Sequence, residues 1–215
     1  MIDGDLLLRF LVTLPLLLVS LAVHELAHGY VAARLGDPTP RQQGRLTLNP
    51  LAHLDTWGTI ALVVTFIGSG GSFFFGWAKP VTVSPQYFRD PQRAMMLVGA
   101  AGPSANFCLA LVAAGLVWLS YSWSLFVAEA LALAFLLNVV LGVINLLPVP
   151  PLDGSRVVGG LLPRDLYASW VGLDRYGNYV LMGLFVLILA SPQVFSATIG
   201  AILDWSFVLL PGGGG

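Results

Sequence analysis

The chain has 215 residues, of which 57% are hydrophobic and only 10% are charged. Soluble domains typically contain about 25% charged residues, so this composition indicates an integral membrane protein. The formal net charge of −1, without a run of basic residues, argues against nucleic acid as a partner. The single cysteine, Cys108, excludes an internal disulfide. We expect one helical domain over residues 1–211, followed by a flexible glycine tail at 212–215.

Five apolar segments follow one another along the chain, at about 6–35, 57–78, 94–120, 126–148 and 177–210. They are continuously apolar rather than alternating in polarity, which predicts helices. The sequence therefore predicts an all-α polytopic membrane protein, a helical bundle with about four to six membrane segments. A proline in the middle of the last segment leaves open whether 177–210 is one kinked span or two helices.

The second apolar segment is interrupted by glycines over residues 68–72, and Pro80 follows shortly afterwards. This density of glycine and proline argues against one straight helix. Lysines and arginines cluster in the loops after the first segment, before the third and after the fourth, whereas the 121–125 turn has none. The positive-inside rule places the three basic loops in the cytoplasm, so that 57–78 enters and leaves the membrane on one side. We expect a re-entrant, partly extended segment here.

A cluster of ionisable residues lies within the first apolar segment, as His24-Glu25-Leu26-Ala27-His28. His24 and His28 are four residues apart, so on a helix they share one face and can bind one Zn²⁺. Glu25 is a candidate general base beside them. Ionisable side chains at bilayer depth cost roughly 2.5–3.5 kcal/mol each, so the cluster indicates a functional site.

The fourth apolar segment ends in a proline-rich run, Asn145-Leu146-Leu147-Pro148-Val149-Pro150-Pro151-Leu152-Asp153-Gly154. The prolines end the helix and stiffen the chain, so Asp153 is presented on a rigid turn. A zinc ion with two histidine ligands needs a third protein ligand, often a carboxylate, and Asp153 is the best candidate. The predicted topology places Asp153 on the same side of the membrane as His24 and His28.

These two motifs together resemble those of the site-2 proteases, the family of intramembrane zinc metalloproteases. The downstream run is similar to the family pattern Asn-x-x-Pro-x-x-Pro-x-Asp-Gly, with matches at Asn145, Pro148, Pro151, Asp153 and Gly154. Segments 44–55, 76–81 and 101–106 resemble a compact bacterial branch of the family that lacks PDZ and CBS domains.

The resemblance implies an endopeptidase that cleaves peptide bonds in or near the transmembrane helices of substrate proteins. It implies that His24, His28 and Asp153 bind one Zn²⁺ per chain. Glu25 would activate the zinc-bound water, and Asn145 would contact the scissile region of the substrate. The implied location is a multi-pass position in the bacterial inner membrane, with the site toward the cytoplasm. We also expect the protein to contact the lipid bilayer. Its further partner would be a regulatory membrane protein or a second copy of the chain.

Two other functions are compatible with parts of this pattern. A non-catalytic zinc scaffold that holds membrane segments would usually have lost Glu25, and a transporter would carry more polar residues along several spans. Asn106 is interpreted as a helix-packing or backbone-bonding residue and His53 as a surface-turn histidine, although either could join the site. Segment 68–80 is interpreted as an edge that pairs with unwound substrate, or else as an aromatic membrane anchor.

Overall fold

A computed structural model gives the fold, and it describes residues 4–71, 75–191, 200 and 210. The described residues form α-helices and no strand longer than an isolated bridge. The helices are α1 (Gly4–Arg34), α2 (Thr39–Gln42), α3 (Thr56–Gly68), α4 (Pro91–Ser120), α5 (Leu125–Asn145), α6 (Asp153–Leu161), α7 (Arg164–Val171) and α8 (Gly177–Ala190). Short 3₁₀ turns occupy Pro50–His53, Pro85–Tyr87 and Gly172–Tyr176.

Within the described part of the chain, three helices are long and apolar enough to cross a membrane: α1, α4 and α5. This confirms the predicted all-α membrane protein. Helix α4 packs against both α1 and α5, so the three form the centre of the bundle. Helices α3 and α8 are shorter, with 13 and 14 residues. Whether the last apolar segment forms one span or two lies outside the described residues.

The second apolar segment contains a short helix followed by a reversal of the chain. Helix α3 has 13 residues, which is about 20 Å of rise and less than the roughly 30 Å of a bilayer core. It ends in a turn in which Gly70 and Gly71 adopt positive φ angles of 63° and 80°, a region that glycine enters without steric cost. The second apolar segment is therefore not one straight helix, as predicted, and the interruption lies at the glycines.

From residue 75 the chain returns to the beginning of α3; residues 75–84, which contain no helix, are called the extended segment below. Ala78 forms an isolated antiparallel bridge with Leu54, and the Lys79 N–H donates to the carbonyl of His53 at 2.8 Å. The close approach requires glycine, because a Cβ at Gly76 would lie 2.6 Å from the carbonyl oxygen of Gly58. The extended segment therefore returns to the end from which α3 started, as expected of a re-entrant element.

Helix α6 is held at a defined position on the side of α4. A Cβ at Gly99 would lie 3.0 Å from the carbonyl oxygen of Asp153, so the two helices touch through backbone atoms. The Gln92 side chain donates to the carbonyls of Gly159 at 3.0 Å and Leu162 at 2.7 Å, which satisfies the end of α6. These contacts fix the first residue of α6, Asp153, against the bundle.

Candidate metal centre

The three predicted metal ligands converge at one point between α1, α4 and α6. The Nε2 atoms of His24 and His28 lie 3.0 Å apart, and the Asp153 Oδ2 lies 3.1 Å from each of them. All three residues are buried, with exposed fractions of 5%, 5% and 8%. Residues that are 125 positions apart in the sequence thus meet in the fold.

The geometry of this triangle fits a zinc ion. Tetrahedral zinc with bonds of about 2.0–2.1 Å places its ligand atoms about 3.3 Å apart, only slightly wider than the distances in this site. Two imidazoles and one carboxylate, with the fourth position open, form the donor set of catalytic zinc sites. Among the described residues, His24, His28 and Asp153 are the one group of three that could hold a metal ion.

The outer ring nitrogens of both histidines have hydrogen-bond partners on α4. The Nδ1 of His28 lies 2.6 Å from the carbonyl oxygen of Val98, and the Nδ1 of His24 lies 2.6 Å from the Oδ1 of Asn106. Both rings therefore donate from Nδ1 and direct the Nε2 lone pair into the triangle. Asn106, interpreted from the sequence as a packing residue, instead orients a candidate metal ligand.

Gly102 forms the wall of the centre on the α4 side. A Cβ at this position would lie 2.6 Å from both Cε1 and Nε2 of His24 and would also overlap the His28 Nε2. Helix α4 can pass this close to the histidines only because position 102 carries no side chain. The close contact between α4 and α1 at Gly102 is thus part of the candidate metal centre.

The surroundings of Asp153 favour its ionised form. Burial raises the pKa of this carboxyl, but the neighbouring His24 and His28 rings outweigh the burial and keep the pKa below its usual value. The position at the first turn of α6 also favours a negative charge. A carboxylate that stays deprotonated is ready to act as a metal ligand.

The candidate base Glu25 lies next to His24 on α1 and contacts the extended segment. Its Oε2 accepts a hydrogen bond of 2.8 Å from the Val81 N–H. Asn145 ends α5, and its side-chain amide donates to the Leu141 carbonyl of the same helix at 2.9 Å. Among the described residues, Asn145 therefore lies outside the hydrogen-bonded group formed by the candidate metal ligands.

His53 differs from the sequence interpretation. It is 2% exposed and is therefore a buried residue, not a surface-turn histidine. Its Nε2 donates to the carbonyl of Thr47 at 3.0 Å, and its Nδ1 has no hydrogen-bond partner within the described residues. The backbone carbonyl of His53 accepts from the Lys79 N–H, so the returning chain contacts this residue.

Span-length helices around a buried His-His-Asp centre, with a glutamate beside it, define the class of a membrane metalloprotease. The chain belongs to peptidase family M50, the site-2 proteases, whose family model matches residues 12–126 and 120–191. It is accordingly a zinc metalloprotease, a hydrolase of peptide bonds.

Bacterial relatives agree with this assignment. The chain is 40% identical to YwhC of Bacillus subtilis, named as a zinc metalloprotease, over 81% of this chain and 80% of that protein. It is 35% identical to Rip2 of Mycolicibacterium smegmatis and 36% identical to Rip2 of Mycobacterium tuberculosis, both also named as zinc metalloproteases. These two matches cover 79% of this chain and 64% of each Rip2 protein. No solved structure matches the chain significantly.

Proposed function

We propose that the chain is an intramembrane endopeptidase that cleaves peptide bonds in or near the transmembrane helices of other membrane proteins. The observation that carries this proposal is the burial of the His24, His28 and Asp153 ligand atoms within 3.1 Å of one another. They lie in a bundle of span-length helices. We propose that these three residues bind one Zn²⁺ per chain.

The roles of the residues follow from their chemistry. Zinc at this position would supply a Lewis acid that polarises the scissile carbonyl and acidifies water. Glu25 takes a proton from the attacking water and returns it to the leaving amine. The hydrogen bond from the Val81 N–H to Oε2 holds the Glu25 carboxylate in place and leaves the second oxygen for this proton transfer.

A substrate helix must unwind before cleavage, because its carbonyls are engaged in hydrogen bonds along the helix. The extended segment offers replacement partners. Its Lys79 and Val81 N–H groups point inward, to the His53 carbonyl and to the Glu25 carboxylate. Successive amides of an extended chain point in opposite directions, so those of Ala78 and Thr82 face outward. We propose that this outward edge pairs with the unwound substrate strand.

Asn145 is proposed as a second contact to the substrate. Its amide uses one N–H to bond the Leu141 carbonyl of its own helix, and an amide NH₂ has a second proton to donate. That proton is available for the carbonyl oxygen of the scissile peptide.

We propose an orientation in the bacterial inner membrane with the metal centre toward the cytoplasm. His24 lies ten residues before Arg34, the last residue of α1, which is about 15 Å along the helix axis. The basic loop that follows α1 is the cytoplasmic one by the positive-inside rule. Besides a transmembrane-helix substrate, a regulatory membrane protein or a second copy of the chain is a proposed partner.

The test is cleavage of a panel of single-span membrane proteins by the purified chain, with zinc quantified in the same sample. Glu25→Gln should retain one zinc per chain and lose at least about 100-fold in cleavage rate, the usual scale for a general base. Glu129→Gln is the matched control, because Glu129 is the other glutamate of the chain and lies near the start of α5.

Each outcome of this experiment is informative. Cleavage by Glu25→Gln at the rate of the unchanged protein would exclude Glu25 as the base. One zinc per chain without cleavage of any substrate would favour a scaffold that binds metal. Absence of zinc after reconstitution would refute the proposed metal centre.

A further inference from the structure

A line of buried polar side chains runs from the metal centre through all three long helices. Ser20 of α1, Asn106 of α4 and Asn138 of α5 are 2%, 0% and 3% exposed. Beyond its contact with His24, Asn106 donates from Nδ2 to the Asn138 Oδ1 at 2.8 Å. Asn138 donates in turn from its own Nδ2 to the Ser20 Oγ and to the Ala134 carbonyl, both at 2.8 Å. Such a network is costly in a membrane bundle unless each member is satisfied.

Backbone carbonyls at the far end of this line determine how the Asn138 amide is oriented. The Ser20 hydroxyl gives its proton to the Leu16 carbonyl at 2.8 Å, so toward Asn138 it acts as an acceptor. The Ala134 carbonyl is also an acceptor, since a carbonyl oxygen has no proton to give. Asn138 must therefore present its NH₂ group to these two atoms, and its Oδ1 points in the opposite direction, to Asn106.

The orientation of the Asn138 amide determines that of the Asn106 amide, which contacts His24. Asn106 faces the Asn138 Oδ1 with its NH₂ group, which also lies 3.4 Å from the Ser20 carbonyl. The Oδ1 of Asn106 is then the atom that faces the His24 Nδ1, 2.6 Å away. That nitrogen carries the proton, and the Nε2 of His24 is left with its lone pair directed at the proposed metal position between the three candidate ligands.

We propose that Asn138 is a positioning residue that acts through Asn106 to hold His24 in its metal-binding tautomer. This inference rests on the zinc centre proposed above. His28 needs no such relay, because its Nδ1 bonds directly to the Val98 carbonyl. A backbone carbonyl within a helix cannot turn over, whereas an asparagine amide can present either its oxygen or its NH₂ group.

Loss of Asn138 removes the acceptor that selects the orientation of Asn106. The reversed amide directs its NH₂ group at the His24 Nδ1, which then acts as an acceptor and moves the ring proton to Nε2. A protonated Nε2 has no lone pair for a metal. Water cannot easily relieve the mismatch, because Asn106 and Asn138 are buried.

The experiment measures the zinc affinity of the purified full chain by competition with a chromogenic chelator. Asn138→Leu should weaken zinc binding about 10-fold, the lower end of the range for outer-shell partners of metal ligands. Ser120→Ala is the matched control: Ser120 is 2% exposed, but within the described residues its hydroxyl bonds the Val117 carbonyl of its own helix and no member of the polar line. This control should bind zinc as the unchanged chain does. Asn138→Ala removes the same amide without adding bulk and replaces the leucine variant if that variant does not fold.

Cobalt-loaded protein reports on the individual histidines. The unchanged chain should show two exchangeable ring N–H resonances shifted by the metal, from the Nδ1 atoms of His24 and His28. Asn138→Leu should shift or broaden the His24 resonance and leave that of His28 in place. A general loosening of the bundle would alter both.

Rescue by a conservative change completes the test. Asn106→Asp places a carboxylate, which only accepts, against the His24 Nδ1. In the Asn138→Leu background it should restore zinc affinity to within about threefold of the unchanged chain, whereas a purely structural defect would become worse with a buried charge. If Asn138→Leu binds zinc at unchanged affinity, or if the rescue fails, the proposed role of Asn138 is overturned and the proposed metal centre stands. If the unchanged chain binds no zinc, both the metal centre and the role of Asn138 are overturned.

Discussion

Replacement of Gly102 by alanine adds one methyl group to the wall of the metal centre. The new Cβ would lie 2.6 Å from the Cε1 and Nε2 of His24, whereas ordinary van der Waals contact begins at 3.4 Å and real Cβ contacts are essentially never under 3.0 Å. The ring or the helix must therefore move by about 0.8 Å to restore normal contact. Neither histidine can yield easily, because each is held by a bond of 2.6 Å from Nδ1.

A displacement of this size is several times the tolerance of a metal site, in which ligand distances vary by about 0.2 Å. We expect Gly102→Ala to weaken zinc binding at least about 100-fold, which equals about 2.7 kcal/mol. Cleavage of a membrane substrate should fall in parallel at limiting zinc. Chelator competition measures the affinity, and unfolding in detergent without zinc reports whether the bundle itself remains intact.

Gly115→Ala is the matched control on the same helix. A Cβ at Gly115 meets no atom of the described residues within 4 Å, so alanine should leave zinc binding unchanged and favour the helix by up to about 1 kcal/mol. Zinc binding by Gly102→Ala at the affinity of the unchanged chain would refute the close packing of α4 against the ligands.

Two further predictions concern the extended segment beside Glu25. Asp37 is 1% exposed and accepts from the N–H groups of Thr39 at 2.9 Å and Ser84 at 2.7 Å. Asp37→Ala should therefore lower the free energy of unfolding by about 2–4 kcal/mol, because two N–H groups lose their acceptor. An unchanged denaturation midpoint would contradict this. Gly76→Ala should destabilise by about 1–3 kcal/mol through overpacking, whereas Gly68→Ala, with no atom near its Cβ, should not. Equal unfolding curves for these two variants would refute the close packing of Gly76 against Gly58.

The three candidate metal ligands could be identified from the sequence because each prediction used local geometry. The spacing of His24 and His28 places them on one helical face whatever surrounds the helix. The prolines before Asp153 end α5 at Asn145 and free the next residues to turn back toward the bundle. In the structure the Asp153 Oδ2 lies 3.1 Å from both histidine Nε2 atoms, so the two motifs meet as predicted.

The interruption in the second apolar segment was also predictable. Gly70 and Gly71 adopt positive φ, which is the reason that glycine is required there. The partner of the returning chain was not predictable in the same way. The contacts of Lys79 with His53 and of Val81 with Glu25 join segments that are far apart in the sequence.

His53 and Asn106 show where reasoning from single residues fails. A histidine after an Asn-Pro turn is usually exposed, yet His53 is buried, and the Lys79 N–H of the returning chain bonds its carbonyl. An asparagine after Gly102-Pro103 has the features of a packing residue, yet Asn106 bonds a ligand histidine. Burial and partner choice depend on neighbouring helices, which no local pattern encodes.

The sequence by itself determined the class of protein, the span-length helices, the glycine-rich reversal and the three candidate ligands. These follow from composition, from helical periodicity and from the backbone limits of glycine and proline, all of which act over a few residues. Only the tertiary structure decided that Gly102 leaves room for the histidines and that Asn106 and Asn138 orient one of them. Those features depend on the rotation and separation of helices α1, α4 and α5, which packing between distant segments sets.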